Sequence, residues 1–208
     1  MNLPNKLTLT RLILIPFFIA AFYAPFPGHY FVALGIFCVA SLTDFFDGHI
    51  ARKYNLVTDL GKFMDPIADK VLVLATFVVM LADPYTETNV FLSVGNPGLI
   101  AGGIGVSIIV AREMAVSSLR MMAAKKGLVL AAEKSGKIKT FFTDISLIVL
   151  LVAAGFGDLP SVGYSVYHAS CVAGLVCFGI SVLLTVYSGI SYLVKNASVV
   201  SESAVNTS

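Results

Sequence analysis

Four aspartates occur at the spacings that a metal-binding pair of helices requires. Asp44 and Asp47 are three residues apart, and Asp65 and Asp69 are four residues apart. Positions three or four apart share one face of an α-helix, so each segment offers a pair of carboxylates to the same side. Carboxylates held close together repel each other, and a divalent cation that prefers oxygen ligands removes this conflict. The spacing therefore predicts a Mg²⁺ or Mn²⁺ site, and the lack of Cys or several His in the cluster argues against zinc.

The elements that carry these aspartates are apolar enough to lie in a membrane. Of the 208 residues, 57% are hydrophobic and only 12% are charged, and the mean hydropathy is +0.88. Because a span needs about 20 residues, we predict an all-α integral membrane protein, a bundle of six transmembrane helices with a short N-terminal interfacial segment. A membrane domain over 1–195 and a flexible C-terminal tail over 196–208 are expected. The predicted spans are 8–24, 30–50, 66–82, 98–122, 138–156 and 166–194.

The basic residues predict the orientation of this bundle. The connections at 24–28, 83–97 and 155–160 contain no Lys or Arg, so the 14 basic residues lie in the opposite connections or in the helices. The side with more Lys and Arg is cytosolic by the positive-inside rule. We therefore expect a multi-pass protein of the cell membrane, with both termini and the aspartates on the cytosolic side. The apolar N-terminal segment lacks a cleavage site, which favours a retained first span over a signal peptide.

Cationic side chains around the fourth and fifth spans are candidates to bind an anionic substrate. Guanidinium and ammonium groups hold phosphate through charge-assisted hydrogen bonds. The alternative is that such residues contact anionic lipid head groups, an interpretation that is stronger for Lys125 and Lys126 than for a cation within an apolar span. The candidates for phosphate binding are Arg112, Arg120, Lys137 and Lys139.

The aspartate segments, DFFDGHIAR (44–52) and GKFMDPIAD (61–69), resemble the signature of the CDP-alcohol phosphotransferase family, D-x2-D-G-x2-A-R-x8-G-x3-D-x3-D, at every fixed position. The resemblance implies a six-helix fold, a homodimer and a two-metal transferase that acts on a CDP-activated lipid. It implies that Asp44, Asp47 and Asp65 bind metal and that Asp69 both contacts metal and acts as general base. The residues that would line the CDP site are Gly48, Ala51, Arg52 and Gly61.

Three further segments are similar to one subgroup of that family: NLPNKLTLTR (2–11), REMAVSSLR (112–120) and SGKIKT (135–140). This resemblance implies CDP-diacylglycerol as donor, sn-glycerol 3-phosphate as acceptor and a role in phospholipid biosynthesis. Asn5, Thr8 and Arg11 would shape the nucleotide end of the site, or would belong to an amphipathic entry helix at the interface.

Two alternatives remain open at this point. A sibling enzyme of the family would use another acceptor, such as inositol phosphate, serine or phosphatidylglycerol. A cation- or proton-coupled transporter would also place aspartates inside a helical bundle. The clustering of the carboxylates at one membrane face, without a matching set in a second half, favours the enzyme. No nucleic-acid partner is expected.

Overall fold

The computed structural model describes residues 3–54, 59–85, 87–125 and 134–196, with side chains over 9–43, 68, 70–85, 87–123 and 136–196. These residues form six α-helices, a short 3-10 helix at Leu92–Val94 and no β-strand. The prediction of an all-α fold is confirmed. The helices are α1 (Leu3–Phe22), α2 (His29–Tyr54), α3 (Asp59–Leu81), α4 (Asn96–Lys125), α5 (Lys134–Asp158) and α6 (Tyr164–Lys195).

Each helix corresponds to one predicted span, but most of the ends with basic flanks extend further than the apolar sequence does. The largest difference is in α3, which begins at Asp59, seven residues before the predicted start at 66. The predicted range followed the apolar residues, whereas a helix satisfies its backbone polar groups internally whatever its side chains are. Asp65 and Asp69 therefore both lie within one continuous helix.

Three of the helices have a long apolar segment that is sufficient to cross a membrane. These segments are Asn96–Ala123, Gly136–Asp158 and Tyr164–Lys195. The other helices have shorter apolar segments among the described residues, Leu9–Phe22, His29–Thr43 and Lys70–Leu81. The chain is a multi-pass membrane protein.

Aromatic packing joins the helices away from the aspartates. The Phe178 ring on α6 lies 5.3 Å from the ring of Phe77 on α3 and 5.6 Å from the ring of Phe91, just before the 3-10 helix. Phe18 on α1 contacts Phe37 on α2 with ring centroids 6.4 Å apart. These side chains are nearly or fully buried, and buried aromatic rings contribute strongly to core stability. The core thus holds α1, α2, α3 and α6 together.

A stripe of mostly small residues lets α6 approach its neighbours closely. Its members recur every three or four positions, which places them on one side of the helix. In this stripe Ser181 Oγ and Thr143 Oγ1 on α5 are 2.6 Å apart. The buried positions are Tyr167, Cys171, Gly174, Phe178, Ser181, Thr185, Ser188, Gly189 and Tyr192. Its C-terminal part, at Ser188 and Gly189, faces the site described below.

The last helix, α6, ends at Lys195, and the membrane domain over 1–195 stays a prediction. The predicted tail, 196–208, lies outside the described residues except for Asn196. Its flexibility remains a prediction.

Candidate active site

The four aspartates lie in two neighbouring helices. Asp44 and Asp47 belong to the C-terminal part of α2, and Asp65 and Asp69 to the N-terminal half of α3. The backbone is helical at all four positions, so the spacings of three and four keep each pair on one side of its helix. The two helices contact each other. The aspartate side chains lie outside the described residues, and their role as metal ligands stays a prediction.

The residues predicted to line a nucleotide site also lie on α2 and α3, and their role also stays a prediction. Gly48, Ala51 and Arg52 follow Asp47 in α2, and Gly61 precedes Asp65 in α3. Their backbone is helical, whereas the detail of their surroundings lies outside the part of the chain with described side chains.

A buried cation on α1 lies close to the first aspartate along α2. Arg11 is fully buried, and its Nε donates a hydrogen bond of 3.4 Å to the backbone oxygen of Ala40. Thr43 Oγ1 donates to the same oxygen at 2.6 Å. Because Ala40 precedes Asp44 by one helical turn, α1 brings a positive charge next to the aspartate-bearing end of α2. A buried charge in a membrane helix is costly and usually functional.

Three cations from three helices converge on Glu113 in α4. The Nζ of Lys139 on α5 is 2.6 Å from Glu113 Oε1, and Nη1 of Arg112 is 2.9 Å from the same oxygen. The Nζ of Lys70 on α3 is 3.9 Å from Oε2. We call these four residues the Glu113 cluster. It contains two of the four cations predicted to bind phosphate, Arg112 and Lys139.

Two hydroxyl groups hold the cations of the Glu113 cluster from the other side. Arg112 Nη2 donates to Ser188 Oγ on α6 at 3.1 Å, and Lys70 Nζ donates to Ser117 Oγ on α4. Arg112 Nε is buried and has no hydrogen-bond partner among the described residues. Since buried donors normally find an acceptor, this N–H marks Arg112 as a candidate to bind an anion.

The other two predicted phosphate-binding residues lie outside the Glu113 cluster. Arg120 is two helical turns beyond Arg112, where its Nε donates to Tyr192 Oη at 3.2 Å and its guanidinium lies 5.5 Å from the Tyr192 ring centroid. Lys137 is exposed. It is two residues from Lys139, and this spacing directs the two side chains to different sides of α5. The structure therefore brings together two of the four candidates.

A small cavity of about 40 Å³ adjoins the Glu113 cluster. Its polar wall is formed by Lys70, Glu113 and Lys139 together with Thr140, Thr143 and Asp144 on α5. The cavity and the Glu113 cluster thus share Lys70, Glu113 and Lys139, and Asp144 adds a second carboxylate beside them.

Sequence reasoning missed Glu113 and Lys70 as site residues. Glu113 lies in the apolar 28-residue segment of α4, and an ionisable residue in such a segment is a functional candidate by default. Lys70 directly follows Asp69. Both signals were present in the sequence, but only the packing of three helices shows that these residues meet.

The donor set of the aspartates suits a divalent metal ion. Among the side chains that the structure describes, no group of three or more His, Cys, Asp or Glu is arranged to hold a metal. The aspartate pairs on α2 and α3 offer oxygen ligands only, which Mg²⁺ and Mn²⁺ prefer. They remain the candidate metal centre.

The sequence model of the CDP-alcohol phosphatidyltransferase family matches residues 1–189, from α1 into the last turns of α6. The chain belongs to the CDP-alcohol phosphatidyltransferase family. The resemblance of residues 44–69 to the signature of CDP-alcohol transferases is thereby confirmed.

Bacterial relatives within the CDP-alcohol phosphatidyltransferases align with nearly the whole chain. A protein of Bacillus subtilis (strain 168) is 36% identical over 207 residues, covering 94% of this chain and 95% of its own. A protein of Escherichia coli (strain K12) is 37% identical over 194 residues, covering 92% and 93%. A protein of Rickettsia felis is 35% identical over 191 residues, covering 92% and 93%. Each is named CDP-diacylglycerol–glycerol-3-phosphate 3-phosphatidyltransferase.

Proposed function

We propose that the protein transfers the phosphatidyl group of CDP-diacylglycerol to sn-glycerol 3-phosphate and releases CMP, the activity of a phosphatidylglycerophosphate synthase in phospholipid biosynthesis. The observation that carries this proposal is the 36–37% identity, over more than nine tenths of both chains, to relatives named for that reaction. Family membership argues against the transporter considered from the sequence.

The charge of the Glu113 cluster suits the phosphate of this acceptor. Lys70, Arg112 and Lys139 carry three positive charges, whereas Glu113 and the neighbouring Asp144 carry two negative charges, which leaves a formal charge of +1. A phosphate monoester carries about −1.5 to −2 at pH 7. Acceptors without a phosphate, such as serine, would leave this positive charge unmatched. The buried Arg112 Nε supplies a donor for such an anion.

We propose that two Mg²⁺ or Mn²⁺ ions are held by Asp44, Asp47, Asp65 and Asp69. When bound, the ions would offset the negative charge that develops on the phosphate oxygens during transfer. The CDP moiety would lie against Gly48, Ala51, Arg52 and Gly61, where small residues allow a ligand to approach the helix backbones.

In the proposed reaction a free hydroxyl oxygen of glycerol 3-phosphate attacks the phosphorus nearer the diacylglycerol. A new P–O bond forms, the P–O bond to the CMP phosphate breaks, and CMP leaves with that bonding pair. The hydroxyl proton passes to Asp69, the general base. Lys70 is adjacent to Asp69 in α3 and contacts Glu113. The acceptor's phosphate and its reacting hydroxyl would therefore be held by neighbouring residues, which favours a productive orientation.

The proposal places the reaction at the cytosolic face of the cell membrane, because the positive-inside rule predicts that both chain termini and the active site lie on that side. The protein's partners are then the two substrates, the lipid bilayer and a second copy of the chain. The homodimer rests on the resemblance to the family.

The test is CMP release by the purified protein in detergent, with CDP-diacylglycerol and Mg²⁺. Glycerol 3-phosphate, inositol phosphate, serine, phosphatidylglycerol or no acceptor is added, and Asp69→Asn is the control. We expect release that depends on glycerol 3-phosphate and is lost in Asp69→Asn. Release with another acceptor would overturn the acceptor assignment, and no release with any acceptor would overturn the proposed function.

A further inference from the structure

We infer that Glu113 is a positioning residue for the acceptor phosphate, an inference that rests on the proposed function. Its carboxylate would orient Arg112 and Lys139 toward the substrate without touching the substrate itself. Through its contact with Lys70, Glu113 would also connect the acceptor site to α3, the helix that carries the candidate base Asp69.

The Glu113 carboxylate has a cation close to each of its two oxygens. Oε1 accepts from Lys139 at 2.6 Å and from Arg112 at 2.9 Å, while Oε2 faces Lys70 at 3.9 Å. The four side chains are only 6–19% exposed. In such surroundings a charge pair is screened little by solvent. One carboxylate thus lies among three cations from α3, α4 and α5.

The hydrogen bonds of Arg112 favour a positioning role for Glu113. Nη1 donates to Glu113 and Nη2 donates to Ser188, which together hold the guanidinium plane in place. Nε has no partner among the described residues. A guanidinium has five N–H donors in a rigid arrangement. Anchoring two of its nitrogens therefore leaves an oriented donor for an anionic group, while the negative carboxylate itself would repel phosphate.

Glu113 also reduces the electrostatic repulsion among the three cations. Without it, Lys70, Arg112 and Lys139 would be three partly buried cations that repel one another. With it, the three cations keep a net positive charge that suits a phosphate monoester, even with Asp144 beside the same cavity. A neutral side chain of the same size, as in Glu113→Gln, removes the counter-charge and weakens the orientation of both Arg112 and Lys139.

The link to catalysis runs along α3. Lys70 contacts both Glu113 and Ser117 on α4, and the preceding residue is Asp69, the candidate base. A displacement of Lys70 would therefore change the position of the Glu113 cluster relative to Asp69. Effective orientation of a hydroxyl toward its base is sensitive to displacements of about 1 Å.

The test compares the steady-state kinetics of wild type and Glu113→Gln, with Glu87→Gln as the matched control. Glu87 is an exposed acidic residue in the α3–α4 connection. We expect Glu113→Gln to raise the KM for glycerol 3-phosphate by about tenfold or more, equivalent to about 1.4 kcal/mol. The KM for CDP-diacylglycerol should change by less than about twofold. Glu113→Asp, which keeps the charge but shortens the reach, should restore part of the acceptor affinity.

Acceptor binding gives a readout that needs no turnover. Glycerol 3-phosphate should raise the Tm of the wild type and of Glu87→Gln, and this shift should be smaller in Glu113→Gln at the same concentration. If Glu113→Gln does not fold, the double variant Glu113→Gln/Lys139→Gln replaces it. This variant removes both members of an ion pair and so leaves neither charge of that pair without its partner. Its acceptor KM should then exceed that of Lys139→Gln alone, because Arg112 has also lost its anchor, and a KM equal to that of Lys139→Gln would overturn the positioning role.

The outcomes separate this inference from the proposed function. An unchanged or lower KM for glycerol 3-phosphate in Glu113→Gln, or an equal rise in both KM values, would overturn the positioning role. Additive effects of the Glu113 and Lys139 substitutions would do the same. If the wild type neither releases CMP with glycerol 3-phosphate nor is stabilised by it, the proposed function itself fails.

Discussion

Gly189 on α6 lies directly against the side chain of Arg112 on α4. A Cβ atom at position 189 would stand 2.9 Å from Cγ of Arg112, closer than real Cβ contacts allow. Arg112 Nη2 also donates to the adjacent Ser188. Glycine at this position thus gives the arginine room to reach Glu113, as small residues in membrane helices allow close approach.

The first prediction concerns this contact. Gly189→Ala should displace the Arg112 side chain near its base and raise the KM for glycerol 3-phosphate by roughly tenfold, because hydrogen bonds to charged groups contribute about 1.5–3 kcal/mol. Gly179→Ala is the matched control, since a Cβ at that position of the same helix meets no atom within 4 Å. Steady-state CMP release measures both. Equal effects of the two substitutions on the acceptor KM would contradict the prediction.

The second prediction concerns the metal. Chelation by EDTA should reduce CMP release by more than about 100-fold, since the reaction depends on charge neutralisation at the phosphates. Mg²⁺ or Mn²⁺ should restore release, whereas Zn²⁺ should not, because the predicted ligands are all carboxylates. Asp65→Asn should abolish release at every Mg²⁺ concentration, with an unchanged helical circular dichroism spectrum. Full activity of the chelated protein would count against the metal centre.

The third prediction concerns pH and Asp83, in the connection after α3. Burial raises the pKa of its carboxyl above the ordinary value, although hydrogen bonds from Tyr30 Oη at 2.7 Å and from the Tyr85 amide at 3.1 Å act in the opposite direction. The folded protein therefore binds this proton more tightly than the unfolded chain. The contribution of Asp83 to stability is fully present below about pH 4 and is lost as the pH rises through the folded-state pKa.

Asp83→Asn removes this dependence. We expect the Tm of the variant minus that of the wild type to become more positive between about pH 4 and pH 7. Thermal unfolding in detergent, followed by circular dichroism, measures it, and Glu87→Gln serves as the control at an exposed position. A Tm difference that falls over this range would show that the carboxylate is stabilised in the folded protein.

The fourth prediction concerns orientation in the membrane. In a variant that lacks Cys38, Cys171 and Cys177, Glu87→Cys should react with a membrane-impermeant maleimide on intact cells. Lys137→Cys should react only after the cells are permeabilised, because the positive-inside rule places it in the cytosol. Both positions are exposed, so accessibility alone does not distinguish them. Labelling of Lys137→Cys on intact cells would show that this position faces the outside and would contradict the predicted orientation.

Much of the fold and part of the site could be predicted because they depend on local properties of the chain. Hydropathy predicted six helices, and each of them is found. The start of α3 was the largest error, since helical backbone continues from Pro66 back to Asp59 through a segment with three charged residues, Asp59, Lys62 and Asp65. The aspartate pairs at 44–69 were recognisable because their spacing within each helix is itself the signal.

The convergence on Glu113 was not predictable in the same way. Arg112 and Lys139 were selected by charge alone, together with Arg120 and Lys137, and nothing in their spacing separates the two pairs. Which cations meet depends on how α3, α4 and α5 are rotated and paired. Packing between helices sets that rotation.

The sequence by itself determined the membrane class, the helices, the aspartate pairs and the family, because composition and periodicity act over a few turns of one segment. Only the tertiary structure decided that Lys70 and Lys139 reach one carboxylate, and that Gly189 admits Arg112. These contacts join residues of separate helices. Their physical basis is the depth and rotation at which neighbouring helices pack, which no single segment specifies.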